Sequence, residues 1–382
     1  MADEIETIAA NLPRLKDLST VTENAARRLK RGNPAFAADL AIAVHRRYGS
    51  KADGKWQYRS LLDQLLRLLT TTPGRANLEQ TLRLVALTDA GKSKRDSAYV
   101  ASLLADAHAP RDLALVFTGG SSQARASEEL RACLAHELLL RGVNVTAEPG
   151  MARWTNSPHW RYHPLGRLPL SLAAFEECPD LPSYSASGGS WSVPYGDATD
   201  GPQAVRKSAS PHPTATETTT ESAAKSISAA VSNWSMESNG QVEARTFALP
   251  EPLPPEAVPA TLDSLPLDSF KAPSAGNRPA LYRCSATAAW RQLFAAASQG
   301  GAYNEGLRGA YGRLAAWQSL AALSGVPEHA SSEEIEQAAL ACDWYSFGAG
   351  TKWFYNVMWD IGLVAVTPDG RRLAVLAATD TD

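Results

Sequence analysis

Local catalytic signatures are what this 382-residue chain lacks. It has no GxSxG elbow, no GxGxxG loop and no P-loop, so neither a nucleophile-elbow hydrolase nor a dinucleotide-binding fold has support in its motifs. Its four cysteines, Cys133, Cys178, Cys284 and Cys342, are far apart and form no CxxC pair. They read as buried free thiols, and neither a metal site nor a cofactor is expected. No apolar run approaches the ~18 residues that span a bilayer, so no membrane association is expected. The acidic start Met1-Ala2-Asp3-Glu4 has neither the basic nor the apolar region of a signal peptide, and a cytoplasmic protein is the expectation. The net charge of -3 argues against a dedicated nucleic-acid binder. With 44% hydrophobic residues, the chain is not wholly disordered.

What is present is organisation. Residues 1–150 carry apolar residues at helical spacing: Phe36, Leu40 and Val44; the leucines from Leu61 to Leu69; Leu78, Leu82 and Val85; Val100, Leu103 and Leu104; Leu130, Leu134 and Leu138. Thr20…Glu23 has the form of a capping box, Asp96 of an N-cap, and Gly49 and Gly142 of C-terminal stops. The pattern predicts an antiparallel helical array, HEAT-like, or an irregular bundle. The segment 113–145 has two readings. Leu113–Phe117 is either a strand opening a βαβ unit, with Gly119-Gly120 at a helix start, or part of a helix that begins at Pro110.

From residue 151 aromatics, prolines and turns dominate, and a mixed α+β domain over 151–382 is expected. The Ser/Thr/Pro-rich stretch at about 197–221 reads as a disordered insertion. The prolines of 250–280 predict an extended segment on the surface. Residues 223–236 predict a helix and 241–249 a strand after the Asn239-Gly240 turn. Three more helices follow, centred on Trp290–Ala297, Leu307–Leu320 and the capping box Ser331…Glu334. The chain closes on a β-hairpin, residues 361–366 and 373–376 about Pro368-Asp369-Gly370, apolar on both faces and so expected to be buried. The fold class expected is α+β, mainly α.

The run Trp353-Phe354-Tyr355-Asn356-Val357-Met358-Trp359-Asp360-Ile361-Gly362-Leu363, with Pro368-Asp369-Gly370 and Leu373 to Asp382, resembles an actinobacterial family of unknown function. The resemblance extends over most of the chain and implies no activity and no catalytic residue.

Four residues are candidates for ligand contact: Lys352, Trp353, Trp359 and Asp360. Clustered aromatics here either line a pocket or fill a core, Asp360 is a candidate buried acid and Lys352 its candidate partner. His159 and His163 are spaced i,i+4, but Trp160 stands where HExxH needs Glu, and the flanking Pro158 and Pro164 oppose a long helix. Basic groups at Arg27–Arg31, His45–Arg47 and Lys92–Arg95 would contact phosphates only if they shared a face. The function expected is that of a non-enzymatic interaction or scaffold protein, with a protein partner or self-association. The alternatives are a ligand-binding or enzymatic pocket in the aromatic C-terminal region, or weak nucleic-acid binding.

Overall fold

A computed structural model describes residues 2–49, 56–88, 93–118, 126–191, 214–271, 280–348, 351–355 and 357–381. The chain divides into two compact units, residues 1–170 with 182–191, and residues 171–181 with 192–382.

The first unit is helical: α1 (Ala2–Asn11), α2 (Ser19–Lys30), α3 (Ala35–Tyr48), α4 (Trp56–Thr70), α5 (Arg75–Leu87), α6 (Lys94–Ala107), α7 (Pro110–Thr118), α8 (Glu128–Leu140), α9 (Pro149–Thr155) and α10 (Pro158–Arg161). Packing follows a simple rule. The odd helices stack in series, α1 on α3, α3 on α5, α5 on α7 and α7 on α9. The even helices do the same from α2 to α10. Immediate neighbours pack as well, α4 on α3 and on α5, and the whole is the arrangement of a helical array. Helix α8 is buried on every side, including Arg131, His136 and Glu137. A small hairpin, β1 (Ser183–Ser185) and β2 (Gly188–Ser190), lies against α6. Tyr184 holds it there, its hydroxyl 3.0 Å from Ser102 Oγ and its backbone N–H donating to Asp106 at 2.8 Å.

Several helix ends differ from the sequence expectation. Helix α2 starts one residue before Thr20, and Asp17 takes the free backbone N–H of Ser19 at 3.0 Å, so Thr20…Glu23 lies inside the helix. Helix α6 is capped by Ser93, with Asp96 as the reciprocal partner three residues on, rather than by Asp96 itself. Gly49 keeps right-handed helical angles, whereas Gly142 has φ +79. The βαβ reading of 113–145 is overturned: Leu113–Phe117 lies in α7, which begins at Pro110, and no strand forms at 143–145. Gly119-Gly120 lies outside the described residues.

The second unit is an antiparallel sheet with helices. Its elements are β3 (Thr216–Glu217), α11 (Glu221–Ile227), α12 (Ser232–Glu237), β4 (Gln241–Ala248), α13 (Val258–Ser264), β5 (Leu281–Cys284), α14 (Ala286–Gln299), α15 (Arg308–Leu323), α16 (Ser332–Ala341), β6 (Asp343–Phe347), β7 (Trp359–Val366) and β8 (Arg372–Asp380). The strand order is β3-β4-β8-β7-β6-β5. The closing hairpin β7–β8 therefore sits in the middle of the sheet, which is why both its faces are apolar. Helices α11, α12, α14 and α15 contact the strands. Helices α14 and α15 pack closely because Gly312 has no side chain: a Cβ there would lie 2.8 Å from the Ser298 backbone. The capping box at Ser331 and Glu334 forms as its spacing predicts.

One face of the sheet carries Phe247, Tyr345, Val364, Val366, Leu373 and Val375, in one core with Leu253, Val258, Leu262, Leu265 and Leu267. The prolines of 250–271 thus do not make a surface strap. They punctuate short helical turns whose apolar residues are buried, while 272–279 lie outside the described residues. Of the stretch at about 197–221, residues 197–213 also lie outside them; the rest forms β3 and the start of α11, with Thr218 N–H bonded to Thr246 O at 2.8 Å. The helix expected over 223–236 is broken into α11, a 3-10 turn and α12.

Candidate functional site

Side chains alternate between the faces of a strand, so Trp359 and Asp360 lie on opposite faces of β7. Register pairs Trp359 with Asp380 and Asp360 with Thr379. The Thr379 hydroxyl donates to Asp360 Oδ1 at 2.5 Å and accepts the backbone N–H of Tyr355 at 3.0 Å. Gln241, opposite Thr379 on β4, donates its amide to the Tyr355 hydroxyl at 2.8 Å. Trp353 sets its ring edge-on to Phe354, with centroids 4.8 Å apart. Lys352 is exposed, Trp353, Trp359 and Asp360 are half-buried, and Phe354 is buried. Of the four candidates, Asp360 is joined through Thr379 to the segment that carries Lys352 and Trp353. Trp359 belongs to the other face. The nearby Trp344 and Tyr345 are core residues, and burial pushes the Tyr345 hydroxyl up to about 12.

Asp380 organises the same end of the sheet from that other face. It is fully buried. Its Oδ1 accepts from Ser238 Oγ at 2.9 Å and from Thr381 N–H at 2.9 Å; its Oδ2 accepts from Ala302 N–H at 2.8 Å. Beside it Asn304 Oδ1 accepts from Asn233 Nδ2 at 2.8 Å and Gly301 N–H at 3.1 Å. Gly301 is required by this approach, since a Cβ would lie 2.0 Å from Asp380 Oδ2. The α12–β4 turn and the α14–α15 loop are thereby tied to the end of β8.

Several apolar side chains near these ties are exposed. Met236, Tyr303, Tyr355, Val357 and Met358 are all exposed, Met236 by 80% and Tyr303 by 64%. Each stands within two residues of a group bonded to, or in register with, Thr379 or Asp380. The chain has only four methionines, and two of them lie here. Exposed apolar side chains that lie together mark contact sites, and methionine is over-used where a surface must adapt to its partner. The sequence reading missed Met236, Tyr303, Val357 and Met358 as site residues: Val357 and Met358 directly precede the candidate Trp359, whereas Met236 and Tyr303 are distant in sequence and are brought to this end of the sheet by the bonds of Ser238 and Ala302 to Asp380.

The buried ionic groups of the second unit are held by internal bonds. Glu176 is bound by Arg313, Trp317 and the Ala173 N–H. Glu243 accepts from the Asp268 and Ser269 N–H groups at 2.9 Å each and from Ser269 Oγ at 2.7 Å. Such carboxylates hold the fold together.

The first unit offers a second candidate cluster, and it too is internal. His163 Nδ1 accepts the Leu165 N–H at 3.2 Å, and its Nε2 is 3.2 Å from Glu129. Cys133 donates to Glu129 at 3.6 Å. Burial pushes that thiol well above its ordinary range, so it makes a poor nucleophile. His159 is exposed within the short helix α10, and His163 caps the next 3-10 turn, so the two histidines do not share a helix. Among the described residues no group of three or more His, Cys, Asp or Glu side chains is placed to hold a metal ion. No helix among them is long and apolar enough to cross a membrane. Arg31 precedes α3 and Arg46 stands in its last turn, so the two lie toward opposite ends of that helix, and Arg28 is bound to Glu4 at 2.7 Å.

A family model described as a family of unknown function (DUF6183) matches residues 19–382. No curated protein and no solved structure matches the chain.

Proposed function

The chain belongs to that family of unknown function, and we propose that it is a non-enzymatic protein-interaction or scaffold protein, acting in the cytoplasm through a protein partner or through self-association. One observation carries this reading: the exposed group Met236, Tyr303, Tyr355, Val357 and Met358 at the Asp380 end of the sheet. Leaving several large apolar side chains in water is unfavourable by ~25 cal/mol per Å² of their surface, a cost that a covering partner removes. Lys352, Trp353, Trp359 and Asp360 lie in the same stretch of chain as Tyr355, Val357 and Met358 and are the polar and aromatic residues proposed to meet the partner. The helical array of the first unit supports the same reading, because such arrays present broad continuous surfaces.

A photo-crosslinking residue placed at Tyr303, in cells that make the protein, tests the proposal. Tyr162, exposed by 83% in the other unit, is the control position. The expected result is a discrete protein adduct, or a self-adduct, at 303 and not at 162. Equal or absent adducts at the two positions overturn the reading.

A further inference from the structure

The basic groups of α2 and α3 do not meet, but a different set of bases does, at one end of the first unit. Gln57, in the first turn of α4, donates its side-chain amide to the Leu15 carbonyl at 3.4 Å. Arg14 and Lys16, the neighbours of Leu15, therefore lie beside that turn. His45 Nδ1 is 2.9 Å from the Tyr58 hydroxyl, with ring centroids 6.4 Å apart, which brings Arg46 and Arg47 in the last turn of α3 to the same place. The Tyr48 hydroxyl donates to the Ala9 carbonyl at 2.8 Å and ties that end of α3 to the end of α1 that leads to Arg14. Arg59 follows Gln57 by two residues.

Arg14, Lys16, Arg46, Arg47 and Arg59 are all exposed, and none of them is in an ion pair among the described residues. The acids near them are engaged or set back. Asp17 accepts the Ser19 N–H at 3.0 Å. Asp63, one turn on from Arg59, is paired with Arg67 and accepts from the Tyr99 hydroxyl at 3.1 Å. Glu6 stands one turn before Ala9 on α1. Among the bases Trp56 opens α4 with its indole exposed by 53%, on the same side of the helix as Arg59 three residues on. The net charge of -3 belongs to the whole chain. At physiological salt a charge is felt over ~8 Å, so the local set decides what approaches.

We infer that this end of the first unit binds single-stranded nucleic acid, its phosphates on Arg14, Lys16, Arg46, Arg47 and Arg59 and one base stacked on Trp56. Unpaired cations attract the phosphate backbone, and an exposed indole offers a stacking platform to any unpaired base. A duplex keeps its bases stacked inside and leaves the indole without a partner. The inference concerns the first unit, and the interaction reading of the second does not depend on it.

The test uses the full chain and fluorescein-labelled oligonucleotides of about 15 nucleotides and mixed sequence: single-stranded RNA, single-stranded DNA, and the DNA duplex. Fluorescence anisotropy should show single strands binding at least five-fold more tightly than the duplex. RNA and DNA share the chemistry, and the two arms assign the sugar. Five phosphate contacts predict that log affinity falls with log salt with a slope of about −3.5. Arg46→Gln/Arg47→Gln/Arg59→Gln should weaken binding ten-fold or more and flatten that slope by about 2. Arg27→Gln/Lys30→Gln/Arg31→Gln removes the same charge toward the far end of α2 and should stay within two-fold of wild type. Trp56→Ala should lose at least five-fold, and Trp56→Phe should keep most of the affinity. Melting temperatures of both triple variants should match the wild type, since the altered side chains are exposed.

Duplex binding as tight as single-strand binding, equal losses in the two triple variants, or no oligonucleotide binding at about 50 mM salt overturns the inference. Association with phosphatidylserine vesicles in the absence of oligonucleotide binding assigns the bases to a membrane surface and overturns it too.

Discussion

Arg313 donates two hydrogen bonds to the two carboxylate oxygens of Glu176, at 2.7 and 2.6 Å, and both side chains are fully buried. Trp317 Nε1 adds a third donor at 2.7 Å and the Ala173 N–H a fourth at 2.9 Å. The pair anchors the segment around residues 171–176 to α15. Its loss should be felt strongly, because removing one partner leaves the other charge buried. Glu176→Gln and Arg313→Met should each destabilise the second unit by ~3–5 kcal/mol. The double variant Glu176→Leu/Arg313→Met should cost clearly less than the sum, since no orphaned charge remains. Urea unfolding followed by tryptophan fluorescence measures this; strictly additive losses would show that the two residues are not coupled.

Glu176 and Arg313 also mark the limit of what the chain reveals in one dimension. The helices of the first unit and the closing hairpin were legible, because apolar spacing at 3.6 and at 2 residues reports which face is buried. So was the capping box at Ser331, a contact three residues long. The ion pair joins residues 137 positions apart, and no local pattern announces it. The burial of 250–271 was hidden for another reason. Its prolines dictate backbone angles, and they say nothing of whether Leu253, Leu262 and Leu267 find a sheet to cover. The candidate site was half legible. Asp360 and Trp353 stand out in sequence, whereas Met236 and Tyr303 enter only through the bonds made by Asp380.

Asp380 should therefore control the order of that surface. Asp380→Ala removes the acceptor of the Ala302 N–H and of Ser238 Oγ, and a buried donor left unpaired costs ~1–3 kcal/mol. Hydrogen exchange should speed up at residues 300–306 and 238–240 while the amides of β6 stay protected. Unchanged protection at Ala302 would show that Asp380 does not hold the loop.

The thiols should separate by environment. Cys178 is exposed, whereas Cys133 and Cys342 are buried. Burial pushes Cys342 up to about 11 and Cys133 well above its ordinary value. Reaction requires the thiolate and access to it. In the native protein at pH 8, maleimide labelling read by mass spectrometry should modify Cys178 first, and Cys133 and Cys342 only after unfolding. Early labelling of Cys133 would place α8 nearer the surface than the structure does.

His108 gives the first unit a pH dependence with a defined sign. It follows α6, is almost fully buried, and its Nε2 lies 3.0 Å from the backbone oxygen of Thr70. A carbonyl only accepts, so Nε2 carries the proton of a neutral ring. Burial lowers the pKa of the imidazole, while the Thr70 bond and the charge of Asp112 oppose the shift. In the unfolded chain the group titrates at about 6.5. As pH falls below that value the unfolded chain takes up a proton that the folded one refuses. Stability contributed by the neutral ring is present above 6.5 and falls with pH until the lowered folded value is passed, after which the contribution is flat. His108→Gln keeps an N–H donor for Thr70 and does not titrate. Its unfolding free energy should lose less between pH 7 and 5 than that of the wild type, measured by denaturant titration at each pH. Parallel curves for the two proteins would show that the acid sensitivity of this unit arises elsewhere.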